Sequence, residues 1–214
     1  MLPRLISILI GYACGHFLTG FFYGKTQHVD LRKVGSGNVG TTNTYRNLGY
    51  KAGILTLLGD VFKVVLSVLI VWAIYHKDAS LNIKVLEYYA ALGTILGHNF
   101  PIFMKFKGGK GIACTGGLMV AVCPICVPVC LAIFIVTVAV TKYVSLGSIL
   151  VCISFFIQMI VYGQLGWLGL GGADLIEVYI LAAAVMVLGI ARHRANIGRL
   201  MDGTESKFSL KQKK

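Results

Sequence analysis

The sequence predicts an all-α polytopic membrane protein of about seven transmembrane helices, with its N-terminus outside and its C-terminus cytoplasmic. Three observations predict it. Of 214 residues, 57% are hydrophobic and 13% charged, with a mean hydropathy of +0.79, whereas a soluble domain carries roughly 25% charged residues. A water-soluble globule of this size cannot hide that much apolar surface. The apolar residues also fall in long runs nearly free of charge, and the charge that remains is one-sided: twenty Lys and Arg against eight Asp and Glu, a net +12. That balance points to anionic partners, meaning phosphates and the head groups of membrane lipids; nucleic acid is not expected.

The first run, 5–24, is preceded only by Arg4 and is long enough to cross a bilayer, so it reads as a span and not as a cleaved signal peptide. Runs at 52–75 and 85–104 follow, then two charge-free stretches at 111–141 and 143–173, and a last run at 175–191. Fifteen of the twenty positive residues lie in three segments: Lys25, Arg32, Lys33, Arg46 and Lys51; Lys105, Lys107 and Lys110; and Arg192, Arg194, Arg199, Lys207, Lys211, Lys213 and Lys214. The positive-inside rule places all three in the cytoplasm. The first span then enters, the next two form an outward hairpin, and 111–191 must hold an even number of crossings. Four use its length if the chain turns near Cys123-Pro124-Ile125-Cys126-Val127-Pro128 and returns at Lys142, giving seven spans; two crossings would give five. The stretch 111–141 is short for two full crossings and calls for tilted or shallow helices. The chain reads as one membrane domain over 1–214, with 192–214 a cytoplasmic basic tail.

The six cysteines, at 14, 114, 123, 126, 130 and 152, all sit in apolar runs as small soft packing residues. Cys123 and Cys126 form C-x-x-C without a second pair, so neither zinc nor redox chemistry is expected.

Glycine and polar residues gather in the same three basic segments. The first, Gly35-Ser36-Gly37-Asn38-Val39-Gly40-Thr41-Thr42-Asn43-Thr44-Tyr45-Arg46, contains G-x-G-x-x-G, with Asp60 twenty residues on. A dinucleotide fingerprint needs a βαβ unit, and here membrane runs flank it, so that reading fails. Small residues that expose backbone N–H groups still form an anion-binding nest, completed by hydroxyls and an Arg; a plain Gly-rich turn is the alternative. The second segment reads Gly97-His98-Asn99-Phe100-Pro101 and then Phe106-Lys107-Gly108-Gly109-Lys110-Gly111. It lacks the Gly and the Ser or Thr of a Walker A loop, yet glycines around two lysines can wrap a phosphate before a helix N-terminus. The third runs from Arg192 to Glu205, where a continuing helix puts His193 and Asn196 on one face and Arg192, Asn196 and Arg199 on another. An imidazole beside an amide and a guanidinium can bind an anion and handle a proton.

Together, S-G-N-x-G-x-x-N-x-x-R at 36–46, G-H-x-F-P with F-K-G-G-K-G at 97–111, and H-x-x-N-x-x-R-L-x-x-G-x-E at 193–205 resemble the bacterial acyl-phosphate-dependent glycerol-3-phosphate acyltransferase family. The resemblance covers nearly the whole chain. It implies an enzyme of the bacterial inner membrane that transfers a fatty acyl group from acyl phosphate to the 1-hydroxyl of sn-glycerol 3-phosphate, giving lysophosphatidic acid and phosphate. This is the first acylation of phospholipid synthesis, with no cofactor and no metal, and an upstream enzyme that forms acyl phosphate is the implied partner. It further implies that Ser36, Gly37, Asn38 and Gly40 cradle a phosphate with Arg46 as its cation. Lys107 and Lys110, held by Gly108, Gly109 and Gly111, take a second phosphate, that of glycerol 3-phosphate. His193 and Asn196 orient the glycerol hydroxyl, Arg199 and Glu205 brace the loop, and Ser145 is a further polar position near the site.

An acyl phosphate is already activated, so direct transfer needs alignment of the hydroxyl and neutralisation of the departing phosphate. No His has Asp five positions on, so the proton falls to His193 or to a substrate phosphate oxygen, with the substrate preferred. Asp60 and Lys63, three apart within a span, are costly in hydrocarbon and read as structural support, paired with each other or with a motif residue. His98 can be structural or catalytic, and His16, Glu87 and Tyr88 have no assigned role. The rival functions are a transporter for a phosphorylated solute, disfavoured by polar motifs lying on one face with no repeat, and the same transfer from acyl-CoA. The residues near 40, 108 and 196 are expected to meet in one cationic pocket beside the inner leaflet.

Overall fold

The computed structural model describes residues 1–209; the expectations for Lys211, Lys213 and Lys214 lie outside the described residues. Ten α-helices and two short 3₁₀ turns make up the regular structure, and no strand occurs among the described residues. The helices are α1 (Leu2–Gly15), α2 (Thr19–Thr26), α3 (Thr41–Leu48), α4 (Tyr50–Tyr75), α5 (Ile83–Asn99), α6 (Ile112–Val122), α7 (Val127–Thr141), α8 (Val144–Gln164), α9 (Gly172–Arg192) and α10 (Arg194–Met201). They form two compact units, Met1–Val122 and the chain from Cys123 on.

Among the described residues, five segments are long and apolar enough to cross a membrane: Leu2–Thr26, Thr41–Tyr75, Pro124–Thr141, Val144–Gln164 and Gly172–Arg192. Leu5, Leu58, Phe62, Val136, Val140, Ile176 and Ile180 lie exposed along them, as lipid-facing side chains do. Two expected spans are shorter than the apolar runs that contain them. Helix α5 stops at Asn99 after 17 residues because Pro101 has no N–H and keeps Phe100 out of the helical region, at φ −132°. Helix α6 has 11 residues and rises about 16 Å, half of a hydrocarbon core. The run 143–173 stops at Gln164, and Gly166, Gly169 and Gly172 then take left-handed φ values of 76°, 61° and 53°. The breaks at Pro124–Cys126 and at Lys142, whose φ is 64°, fall where the sequence put them.

In the first unit α1 packs along α5 through two reciprocal glycine pairs. A Cβ on Gly11 or Gly15 would strike the Ala90 or Thr94 carbonyl, and one on Gly93 or Gly97 would strike the Ile8 or Tyr12 carbonyl. Small residues four apart on both helices allow this backbone approach, the usual basis of helix association in lipid. The Tyr12 hydroxyl donates to the Phe100 carbonyl at 2.8 Å. His16 Nδ1 donates to the Tyr12 carbonyl at 2.7 Å while its Nε2 accepts from the Ile102 N–H at 3.2 Å. His16 therefore clamps the turn after α5 to the end of α1. Gly93→Val meets rigid backbone and is expected to destabilise by about 1–3 kcal/mol, read as an earlier thermal transition in detergent. Gly116→Ala, with nothing within 4 Å, leaves the transition in place.

In the second unit α8 lies between α7 and α9. Gly147 packs on the Phe134 ring and Gly189 on the Cys152 thiol. Gln158 donates to Ser154 Oγ at 3.0 Å and to Cys130 Sγ at 3.1 Å. All the cysteines but Cys14 are buried thiols, in keeping with a packing role.

Candidate active site

The first basic segment is a loop folded back on the start of α3. Gly35 and Gly37 sit at φ 58° and 71°, left-handed positions that glycine fills without strain. Asn43, buried in the first turn of α3, stitches the loop: its Oδ1 accepts from the Ser36 N–H at 2.9 Å and from Asn47 at 3.1 Å. Its Nδ2 donates to the Leu31 and Val34 carbonyls, both at 3.1 Å. A side chain on Gly35 would strike Asn43 Oδ1. Below the loop Leu18, Phe21, Leu31, Val39 and Met104 form one buried apolar cluster, so the first and second segments share a base. Lys25 and Arg32 lie over the Phe21 ring. Arg32 also grips Asp30 through two 2.8 Å hydrogen bonds. That contact, with the Arg32 and Lys33 charges behind it, holds the Asp30 carboxyl down to about 2. Asn43→Ala removes four hydrogen bonds and leaves two carbonyls without their donor, so activity should fall about tenfold or more at unchanged helix content, as expected for about 1–3 kcal/mol per unmet buried group. Initial rates and circular dichroism check it.

The second segment is fastened to the end of α5. The Gly109 N–H donates to the His98 carbonyl at 3.0 Å and the Gly108 N–H to the Asn99 carbonyl at 3.1 Å. Each glycine is required by contact: a Cβ on Gly108 would strike the His98 carbonyl, one on Gly109 would strike His98 Nε2, and one on Gly111 (φ 82°) would press on Asn99 Oδ1. Lys107 is exposed and Lys110 half-buried. Behind the loop lies a buried ionic cluster. Lys63 Nζ is 2.9 Å from Asp60 Oδ1 and 2.7 Å from His98 Nδ1, and donates to the Phe17 carbonyl at 2.9 Å. Thr19 adds a 3.3 Å hydrogen bond to Asp60. Beside it, an apolar groove of about 600 Å³ runs between α2 and α4, lined by Phe17, Phe22, Tyr23, Leu55, Leu58 and Phe62.

The third segment is built around one carboxylate. Glu205 Oε1 accepts from Ser145 Oγ and from Asn196 Nδ2, both at 2.7 Å, and Oε2 from Arg199 Nε at 2.7 Å. The N–H groups of Thr204 and Glu205 return to the Arg199 carbonyl at 2.8 and 3.0 Å, closing the turn after α10. Burial pushes the Glu205 carboxyl up, but the hydrogen bonds from Asn196, Ser145 and Arg199 and the Arg199 charge outweigh it and leave it below the ordinary carboxylate range. His193 sits buried at the break between α9 and α10, and its Nδ1 lies 2.7 Å from the Gly189 carbonyl. A carbonyl only accepts, so Nδ1 carries the proton and the lone pair of the neutral ring is on Nε2.

Residues 5–203 match the family model for glycerol-3-phosphate acyltransferase. The chain belongs to that family. Relatives named glycerol-3-phosphate acyltransferase include one from Trichlorobacter lovleyi, 39% identical over 208 residues, covering 97% of this chain and 99% of the relative. Another, from Clostridioides difficile, is 40% identical over 211 residues, covering 97% of each. Among solved structures the chain resembles PlsY (YgiH), an integral membrane glycerol 3-phosphate acyltransferase. Its glycerol 3-phosphate form matches with a TM-score of 0.82 at 34% identity over 96% of each chain. Its lysophosphatidic acid form matches with a TM-score of 0.80 at 32% identity over 96% of this chain and 95% of that one.

In this acyltransferase the sequence-predicted residues form local groups. Ser36, Gly37, Asn38 and Gly40 lie in the Asn43-stitched loop, with Arg46 on α3; Lys107 to Gly111 form the glycine loop; Ser145, Asn196, Arg199 and Glu205 share one hydrogen-bond network. From sequence, Asn43 carries no role and His98 stands open between a structural and a catalytic one. Asn43 lies within the first motif, but its bonds depend on the loop's return path. His98 joins the Asp60–Lys63 pair, expected to close on itself or on a motif residue, only through the packing of α4 on α5.

Proposed function

We propose that this acyltransferase moves a fatty acyl group from acyl phosphate to the 1-hydroxyl of sn-glycerol 3-phosphate, releasing lysophosphatidic acid and inorganic phosphate at the cytoplasmic face of the bacterial inner membrane. This is the first acylation of phospholipid synthesis, fed by an enzyme that forms acyl phosphate. The whole chain acts as one domain, with 192–214 as a cytoplasmic tail. The observation that carries the acceptor and product is the likeness to a PlsY described in glycerol 3-phosphate and lysophosphatidic acid forms. Seven crossings, with α5 and α6 as the short ones, put all three motif segments on one face. Five crossings without them would put 105–110 on the opposite face from 25–51 and from the chain after Arg192.

In this reading the loop of Ser36, Gly37, Asn38 and Gly40, with Arg46, takes the phosphate of acyl phosphate. Lys107, Lys110 and Gly108, Gly109 and Gly111 take that of glycerol 3-phosphate, and the α2–α4 groove takes the acyl tail. The glycerol hydroxyl oxygen bonds to the acyl carbon, the bond from that carbon to phosphate oxygen breaks, and phosphate leaves with the electron pair. Arg46 at the first site stabilises the charge that grows on the departing phosphate, and Lys107 and Lys110 hold the acceptor's phosphate in place. His193, with its lone pair on Nε2, accepts the glycerol hydroxyl's hydrogen bond and aims it, while a substrate phosphate oxygen takes the proton. Glu205 fixes Asn196 and Ser145, the further polar groups assigned to this reaction in the second unit.

The purified protein in detergent tests this: phosphate release should require glycerol 3-phosphate and match lysophosphatidic acid formed, with acyl-CoA unable to replace acyl phosphate. Equal rates with acyl-CoA would reject the donor, and release without glycerol 3-phosphate would reject the acceptor. His193→Gln should lower the rate by about a hundredfold, the scale of a lost alignment; an unchanged rate would remove His193 from the reaction.

A further inference from the structure

The cluster behind the glycine loop has a direction. Lys63 Nζ meets the Asp60 carboxylate at 2.9 Å, the Phe17 carbonyl at 2.9 Å and His98 Nδ1 at 2.7 Å, with the Gly15 carbonyl further off at 3.4 Å. An ammonium only donates, so the ring nitrogen that it touches must accept, and a neutral imidazole then carries its proton on Nε2. The competing arrangement, an Nδ1 proton given to Asp60, fails on distance: that pair is 3.6 Å apart, beyond a hydrogen bond. The other end of the ring faces the loop, where any Cβ on Gly109 would overlap Nε2. Asp60, Lys63 and His98 are all buried, with side-chain exposures of 1%, 5% and 3%. At this depth, packing alone is better served by apolar residues of like volume.

We infer that Lys63, itself oriented by Asp60, is a positioning residue for acyl transfer: it fixes His98 as the Nε2–H tautomer, so that His98 presents an N–H to the Gly108–Gly111 loop and holds it in the shape that receives a substrate phosphate. This rests on the proposed role of that loop in binding glycerol 3-phosphate. A merely structural ion pair would not care which ring nitrogen carries the proton, and this device does.

The test combines nitrogen NMR of histidine-labelled full-length protein in nanodiscs with steady-state kinetics. Wild-type His98, identified by difference from H98Q, should show an unprotonated Nδ1 and a protonated Nε2. D60L/K63M removes both charges together and avoids stranding one; it should show mixed tautomers and raise KM for glycerol 3-phosphate about tenfold, with kcat changed less than about threefold, the signature of weakened ground-state binding. Adding H98Q to that variant should restore KM, because an amide N–H at the Nε2 position needs no lock. H98N, which puts its amide at the Nδ1 position, should not restore it. A wild-type ring protonated on Nδ1, a folded D60L/K63M with normal KM, or a triple variant no better than the double would each overturn the inference. Should D60L/K63M fail to fold, H98Q outperforming H98N in the wild-type background supports the inference, and equal loss overturns it. The tautomer readout does not depend on which substrate the loop binds, so failure of the glycerol 3-phosphate assignment is seen separately from failure of the lock.

Discussion

Glu205→Ala is expected to cost about a hundredfold or more in acyl-transfer rate, the scale of an ångström's misplacement of reacting groups. One carboxylate holds Ser145, Asn196 and Arg199 through three 2.7 Å hydrogen bonds, and its backbone closes the turn on the Arg199 carbonyl. Removal leaves a buried hydroxyl and a buried amide without this acceptor and a part-exposed guanidinium without its ion pair, at a cost of about 1–3 kcal/mol per unmet buried group. Asn196 then loses the 2.7 Å bond to Glu205 that helps to aim it. Glu205→Gln keeps the volume but loses the charge, so it should retain the fold and lose part of the rate. The pH dependence has a definite sign. The folded carboxyl sits below its ordinary value: burial raises it, and the hydrogen bonds from Asn196, Ser145 and Arg199 with the Arg199 charge lower it further than burial raises it. The unfolded chain therefore binds the proton more tightly, and the stabilisation is complete above the unfolded value of about 4.3 and lost as pH falls through the folded one. Melting curves of wild type and Glu205→Gln between neutral pH and pH 3 check this; the wild type should lose its advantage only on the acid side.

Gly109→Ala should raise KM for glycerol 3-phosphate by about a hundredfold. The added methyl would occupy the place of His98 Nε2, and the ring cannot retreat because Lys63 holds its far side at 2.7 Å. The loop must move instead, breaking the bonds from Gly108 and Gly109 to the Asn99 and His98 carbonyls. Lys107 and Lys110 move with it. Titration of glycerol 3-phosphate at saturating acyl phosphate measures the effect, and a KM within threefold of wild type would mean that the loop's shape does not govern binding.

The all-helical, membrane-spanning character was legible because composition alone forces it, and the breaks at Pro124–Cys126 and Lys142 were legible from proline and charge. Helix lengths were not, because hydropathy runs continue past the points where the backbone must stop. Pro101 ends α5 five residues before the apolar run does, and Gly166, Gly169 and Gly172 cut the 143–173 stretch. The α1–α5 contact had a signal in the sequence, Gly11-x-x-x-Gly15 and Gly93-x-x-x-Gly97, that hydropathy hides. The three motif segments and the i, i+3 pairing of Asp60 with Lys63 could be read locally, whereas a bracing role for Arg199 and Glu205 came only from the family resemblance. The Lys63–His98 contact spans 35 positions and the Ser145–Glu205 bond 60; both depend on packing between helices, which no local pattern encodes.

Single cysteines at Lys33, Phe106 and Ala195, all exposed positions, in a background without the six native cysteines, test the proposal that the three motif segments serve one reaction from one face. With a membrane-impermeant maleimide, all three should react in inside-out vesicles and not in right-side-out ones, and glycerol 3-phosphate with a non-reactive acyl phosphate analogue should slow each reaction. Labelling of the residue at 106 from the outside alone would mean that α5 and α6 do not cross, and would contradict the account.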